Sequence, residues 1–198
     1  MAQTTLALLV FLAPLAFSPG PGNLFFAAAG ARDGLRGAGP ALAGYHAATW
    51  VVTVAVGLGL AAALHDHPRA MRALTVAGAG YVLWLAWRIL RAGTLAEEGA
   101  ARRATALDGA VLLLLNPKAY VIVALMLTQF LTRFPLPPVP AILLIATIFT
   151  ANNLAAFVLW TLAGDRLAAR FRSRAGARRL NAALAAMLAG VAVWMLAR

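Results

Sequence analysis

The 198-residue sequence is 63% hydrophobic and 12% charged, carries a formal net charge of +11, and contains no cysteine. Soluble domains average about 45 to 50% apolar and about 25% charged residues, so this composition belongs to a membrane protein. The missing cysteines exclude disulfides, thiolate metal sites and thiol chemistry. The basic excess does not indicate nucleic acid, because it sits at or near the ends of long uncharged runs, where it controls topology and binds anionic lipid.

Cut at its charge and Gly/Pro clusters, the chain is all-α. It yields six candidate membrane spans: about Gln3–Ala31, Gly39–Leu64, Arg69–Leu90, Ala106–Leu131, Val139–Ala163 and Leu180–Ala197. Continuous apolar runs of this kind do not fit a lipid-facing barrel, whose segments alternate over about ten residues. The whole of 1–198 reads as one transmembrane domain, and the polar linker Gly93–Ala106 divides it into halves of about 1–97 and 98–198. The first span has no Lys or Arg before it and no small-x-small cleavage site, which argues against a removed signal peptide.

Arginines between spans set the direction. Arg32, Arg36, Arg88, Arg91, Arg102, Arg103, Arg166, Arg170, Arg172, Arg174, Arg178 and Arg179 fall on one side, against Arg69, Arg72, Arg133 and Arg198 on the other. Basic loops remain cytoplasmic, so both termini are expected outside the cytoplasm of a bacterial inner membrane. The fifth linker, Arg166 to Arg179, mixes these arginines with Leu167 and Phe171 and is expected to lie on anionic lipid.

The first span contains "SPGPGN", Ser18 to Asn23. A straight helix of this span's length would measure about 45 Å, more than the hydrocarbon layer, and Pro19, Gly20, Pro21 and Gly22 mark where it breaks. In the second span His46, Thr49, Trp50, Thr53 and Gly57 share one helical face that carries nearly all its polarity. The third span, with its small residues Ala77 to Gly80, reads as a packing helix, as does the sixth.

The fourth span is interrupted at Asn116, Pro117 and Lys118, about 12 to 15 Å from its start at Asp108, a depth similar to that of the first break. In the fifth span Thr150, Asn153, Phe157 and Thr161 form a polar face, with Asn152 beside it. Such faces turn toward protein or a watery cavity, since lipid offers polar atoms no partner. Two Pro-interrupted helices that open the two halves and run in opposite directions are the sign of a 3+3 inverted-repeat transporter, with its site where the breaks face each other.

Single residues carry competing readings. A lysine at the depth of Lys118 costs at least about 2.5 to 3.5 kcal/mol, so it should face a cavity, either as a structural counter-charge or as a substrate contact. His46 reads equally as a packing partner or a proton-handling group. His65, Asp66 and His67 lack the spacing of shared ligands and read as a solvated loop; "GLRGAG", Gly34 to Gly39, reads as a flexible turn and not a phosphate cradle. The six acids all lie at span ends or in linkers, so no intramembrane carboxylate pair, catalytic constellation, metal site or cofactor is expected.

With these residues in view, the chain resembles the lysine-exporter type (LysE/RhtB) amino-acid translocators. "SPGPGNLFFAAAGARDGLRGAGPALAGY" is similar to that family's opening Pro-Gly-Pro segment, "AGAGYVLWLAWRILR" to its third-span pattern, and "LLNPKAYVIVALMLTQF" carries its Asn-Pro-Lys signature. The resemblance implies an exporter of amino acids or related small metabolites driven by an ion gradient, with Pro19, Gly20, Pro21, Asn116, Pro117 and Lys118 as the residues carried over. The chain departs from the pattern where Gly22 delays the motif asparagine to Asn23, and where His46 enters a segment that is usually more apolar.

The expectation is therefore a proton-coupled exporter. Ser18, the broken backbone, Asn23, Asn116 and Lys118 would hold the zwitterion, and His46, Thr49, Trp50, Thr53, Thr150 and Asn153 would line its path. Small-residue faces leave a homo-oligomer open, and nucleic acid is not an expected partner. The rival readings are an inorganic-cation exporter of the same superfamily, disfavoured by the lack of membrane-depth acids, and a non-transporting oligomeric membrane scaffold.

Overall fold

The computed structural model describes residues 1–18, 20–60, 103–170 and 174–196, with position 72 and scattered positions from 76 to 90 in the third span. Pro19, the His65–His67 loop, most of the third span, the linker between the halves up to Arg102, and Phe171 to Ser173 lie outside the described residues. Every described element is helical. α1 is Ala2–Phe17 and α2 Pro21–Ala55, running on into a π-helical turn, Val56–Leu60. α3 is Ala106–Leu114 and α4 Pro117–Phe130, followed by a 3-10 turn, Leu131–Arg133. α5 is Pro138–Arg170 and α6 Arg174–Leu196.

Within the second of these helices one residue leaves helical geometry, Gly34, with φ 67° and ψ −178°. Only glycine takes this angle without a Cβ clash, and it folds α2 into a hairpin. Gly22 of the first arm approaches the Tyr45 hydroxyl of the second, and the Phe26 and Tyr45 rings meet edge to face at 5.8 Å. The expected turn over Gly34–Gly39 thus shrinks to Gly34, and the second span begins at Leu35 and not at Gly39. One residue of positive φ reverses the chain, with helical residues on either side of it. The fifth and sixth spans also run past their expected ends, to Arg170 and from Arg174. Arginine and alanine are good helix formers, so a change from apolar to charged residues does not end a helix.

Pro21–Gly59 and Pro138–Ala169 are long and apolar enough to cross a membrane, the former folded at Gly34. The pair Ala106–Leu114 and Lys118–Arg133, bent by 67°, makes one more if it counts as a single span. A capping box starts α3: the Thr105 hydroxyl accepts from the Asp108 N–H, and the Asp108 carboxylate accepts from the Thr105 N–H at 2.8 Å. α4 starts with Pro117 in its first turn and Asn116 as cap, the Asn116 Oδ1 accepting from the Lys118 N–H at 3.2 Å. Two adjacent start signals explain why the span bends here and does not simply kink.

The two ends of the bundle pack differently. Near Gly34 the helices meet backbone to backbone along two seams. A methyl added at Gly30 would fall on the Thr161 carbonyl and one at Gly164 on the Ala27 carbonyl; likewise Gly44 faces the Ala106 carbonyl and Gly109 the Ala41 carbonyl. Small residues permit this approach. The opposite end is filled with large side chains, including Leu8, Leu12, Met126, Phe130, Phe134 and Ile145. The site lies between these two regions.

Candidate functional site

The two breaks come together. Helix α1 ends at Phe17 with Ser18 in extended conformation, and α2 restarts at Pro21 from an extended Gly20. Across from them stands the start of α4, and the Lys118 ammonium donates to the Ser18 hydroxyl at 2.9 Å. A pocket opens at this junction; Gly20, Pro21, Asn23, Asn116, Lys118 and Asn153, all expected site residues, line it. Pro117, whose side chain is outside the described residues, lies in sequence between the lining residues Asn116 and Lys118.

The broken end of α1 is fully partnered. A helix leaves its last four carbonyls without intrahelical donors. Here Pro14 O accepts from the Ser18 N–H at 3.1 Å, and Leu15 O from the Ser18 hydroxyl at 3.0 Å. Ala16 O accepts from the Asn23 side-chain amide at 2.8 Å, and Phe17 O from the Trp160 indole N–H at 3.3 Å. Asn23 therefore staples one side of the break to the other, and Trp160 ties the break to α5. The start of α2 is different. No side chain caps it, and Pro21 has no N–H to offer, so the N–H groups of Gly22 and Asn23 sit at an open helix end beside the pocket that both residues line.

Aromatic rings form one wall. Tyr45 and Phe157 lie 4.8 Å apart, and each packs against Phe26 and His46. Asn116 Nδ2 donates to the Tyr45 hydroxyl at 3.4 Å, tying this wall to the second break. A Cβ at Gly22 would stand 2.6 Å from the Phe157 ring, so glycine there lets the wall close on the break.

Other expected residues fall elsewhere. Thr49 and Thr53 are 1% and 0% exposed, and their hydroxyls donate to the carbonyls of Tyr45 and Thr49 one turn back. Their polarity is thus consumed within their own helix, and neither lines the pocket. Trp50, 37% exposed, points outward and donates to the Thr147 hydroxyl at 3.2 Å. His46 is buried beside the pocket wall: one ring nitrogen, Nδ1, lies 2.7 Å from the Leu42 carbonyl, and Nε2 has no partner. Because a carbonyl can only accept, Nδ1 carries a hydrogen. Thr150 Oγ1 and Asn152 Nδ2 are also buried without a partner. Pro19 lies outside the described residues.

The model of the LysE type translocator family matches residues 13–198. The chain belongs to the LysE type translocators. It is 31% identical over 186 residues to the cysteine/O-acetylserine efflux proteins of Escherichia coli (strain K12) and Shigella sonnei (strain Ss046), the match covering 90% of this chain and 90% of each relative. The protein of that name from Escherichia coli O1:K1 / APEC is 30% identical over the same length. No solved structure matches.

In this translocator the sequence does not single out Tyr45 or Trp160 as site residues. Tyr45 carried a usable signal, since Tyr45, Thr49 and Thr53 recur every four residues on one helical face. Trp160 carried none: it stands far along the chain from the Phe17 carbonyl it satisfies.

Proposed function

We propose that this translocator is a secondary-active exporter of amino acids or closely related small metabolites across the bacterial inner membrane. It is built from six spans as a 3+3 inverted repeat with both termini outside the cytoplasm, and it is driven by proton exchange. The contact between Lys118 and Ser18 carries this reading. It joins the breaks of two helices, one from each half of the chain, around a pocket, the arrangement in which transporters bind substrate at the interface of their repeats. The relatives' name, cysteine/O-acetylserine efflux protein, supports small neutral amino acids as the substrate type.

In this reading Lys118 receives the substrate carboxylate, assisted by the open start of α2. Asn23, Asn116, Asn153 and the Tyr45 hydroxyl supply neutral hydrogen-bonding groups around the rest of the molecule. His46 takes the coupling proton at Nε2, the nitrogen left without a partner. Arg166 to Arg179 hold anionic lipid at the cytoplasmic face.

The test is efflux from proteoliposomes loaded in turn with cysteine, O-acetylserine, serine, leucine and lysine, with and without an imposed proton gradient. Gradient-stimulated release of a neutral amino acid is expected. Release that is unaffected by the gradient would remove proton coupling, and no release of any of the five would remove amino-acid export.

A further inference from the structure

Resting on the export reading, we infer that the pocket is an anion receptor with no acid among its described residues to meet an ammonium: substrate is selected by its carboxylate, and a free α-amine is not required.

The charge inventory of the site comes first. Lys118 brings an ammonium whose partner is a neutral hydroxyl. None of the described acids reaches the pocket. Asp33 pairs with Arg32, Asp108 is held in the capping box of α3, and Asp165 is exposed at the far end of α5. A ligand that brings no negative charge leaves the lysine as it is; one of net positive charge, such as an amino-acid ester, adds like charge in a confined space of low dielectric.

The backbone comes second. A broken helix offers two receptors of opposite sign, the carbonyl end of its first half for cations and the N–H end of its second half for anions. Here each group of the first already has a partner. All four terminal carbonyls of α1 accept from the chain itself, through Ser18 twice, Asn23 and Trp160. The second is open at Gly22 and Asn23, and the Lys118 ammonium would stand 3.2 Å from a Cβ placed on Gly20. Lysine and open helix end thus converge from two halves of the chain on one spot, and only amide and phenol groups remain for the rest of the ligand.

The substrate class follows: small monocarboxylates with neutral substituents. Amino acids qualify through their carboxylate, and so do their N-acylated and hydroxy-acid counterparts; amino-acid esters and basic amino acids do not.

The experiment is counterflow of labelled O-acetylserine in proteoliposomes, competed by serine, N-acetylserine, serine methyl ester and lysine. N-acetylserine is expected to compete within about threefold of serine. The ester is expected to be weaker by about tenfold or more, the loss when charge-assisted hydrogen bonds to a carboxylate are not made, and lysine to be weaker than serine because its second ammonium adds like charge beside Lys118. In Lys118→Gln the preference for acid over ester should collapse toward unity. A methyl ester that competes as well as serine, or N-acetylserine that fails where serine succeeds, overturns the inference. Thermal stabilisation of the purified protein by the same panel needs no transport. Stabilisation by the acids alone, without counterflow, supports the receptor and removes export; stabilisation by none, without counterflow, removes both.

Discussion

Lys118 donates to Ser18 across one hundred residues of sequence, at 2.9 Å, and that bond is the direct link between the two helix breaks. Ser18 in turn donates to the Leu15 carbonyl, so one hydroxyl both closes the end of α1 and receives the lysine. Ser18→Ala removes both roles. A hydrogen bond to a charged group contributes about 1.5 to 3 kcal/mol, so the variant should lose stability on that scale while keeping its lysine for substrate. Export reduced several-fold but measurable, with a lowered melting temperature in detergent, is the expected outcome.

Asn23 holds the other side of the same break. Asn23→Ala leaves the buried Ala16 carbonyl without its donor, at a cost of about 1 to 3 kcal/mol. Asn23→Asp should be worse, because an ionised carboxylate would face that carbonyl with no proton to share. Comparison of melting temperatures for the two variants checks the order; equal values would show that Asn23 does not close the break.

The glycine seams make a position-specific expectation. Gly30→Ala drives a methyl onto the Thr161 backbone and should cost about 1 to 3 kcal/mol, as overpacking does, with lower membrane abundance. Gly80 and Gly190 have nothing within 4 Å of an added Cβ, so alanine there should be neutral. Fluorescence from a C-terminal reporter fusion measures all three.

His46→Gln keeps a side chain able to donate to the Leu42 carbonyl but cannot take a proton at the second position. Substrate exchange without a gradient should persist and stimulation by a proton gradient should disappear. Loss of both together would instead mark His46 as a packing residue of the aromatic wall.

The absence of cysteine from the chain makes single-cysteine probes clean. Asn153→Cys lines the pocket and should react with a water-soluble thiol reagent, and added substrate should slow the reaction. Thr53→Cys, at a fully buried position, should be protected. Equal reactivity at both would contradict the placement of the pocket.

Much of this architecture was legible because membrane helices state their limits in composition. Uncharged runs marked the long apolar helices, and prolines marked the two breaks, since a missing N–H in lipid must be compensated nearby. Side-chain direction was less legible. His46, Thr49, Trp50 and Thr53 formed one polar stripe on paper, yet Thr49 and Thr53 spend their hydroxyls on their own helix and Trp50 turns outward. A threonine in a helix can satisfy itself one turn back, so its polarity does not report a cavity. The closing of α1 by Trp160 was hidden for a different reason: it depends on tertiary distance alone, across 143 residues.

The central claim is that the junction of the two breaks holds the substrate through Lys118. Counterflow of labelled O-acetylserine by wild type and Lys118→Ala, reconstituted in equal amounts and with matching melting temperatures, tests it most directly. Exchange by wild type and background rates for Lys118→Ala are expected. Wild-type exchange by Lys118→Ala would contradict the claim.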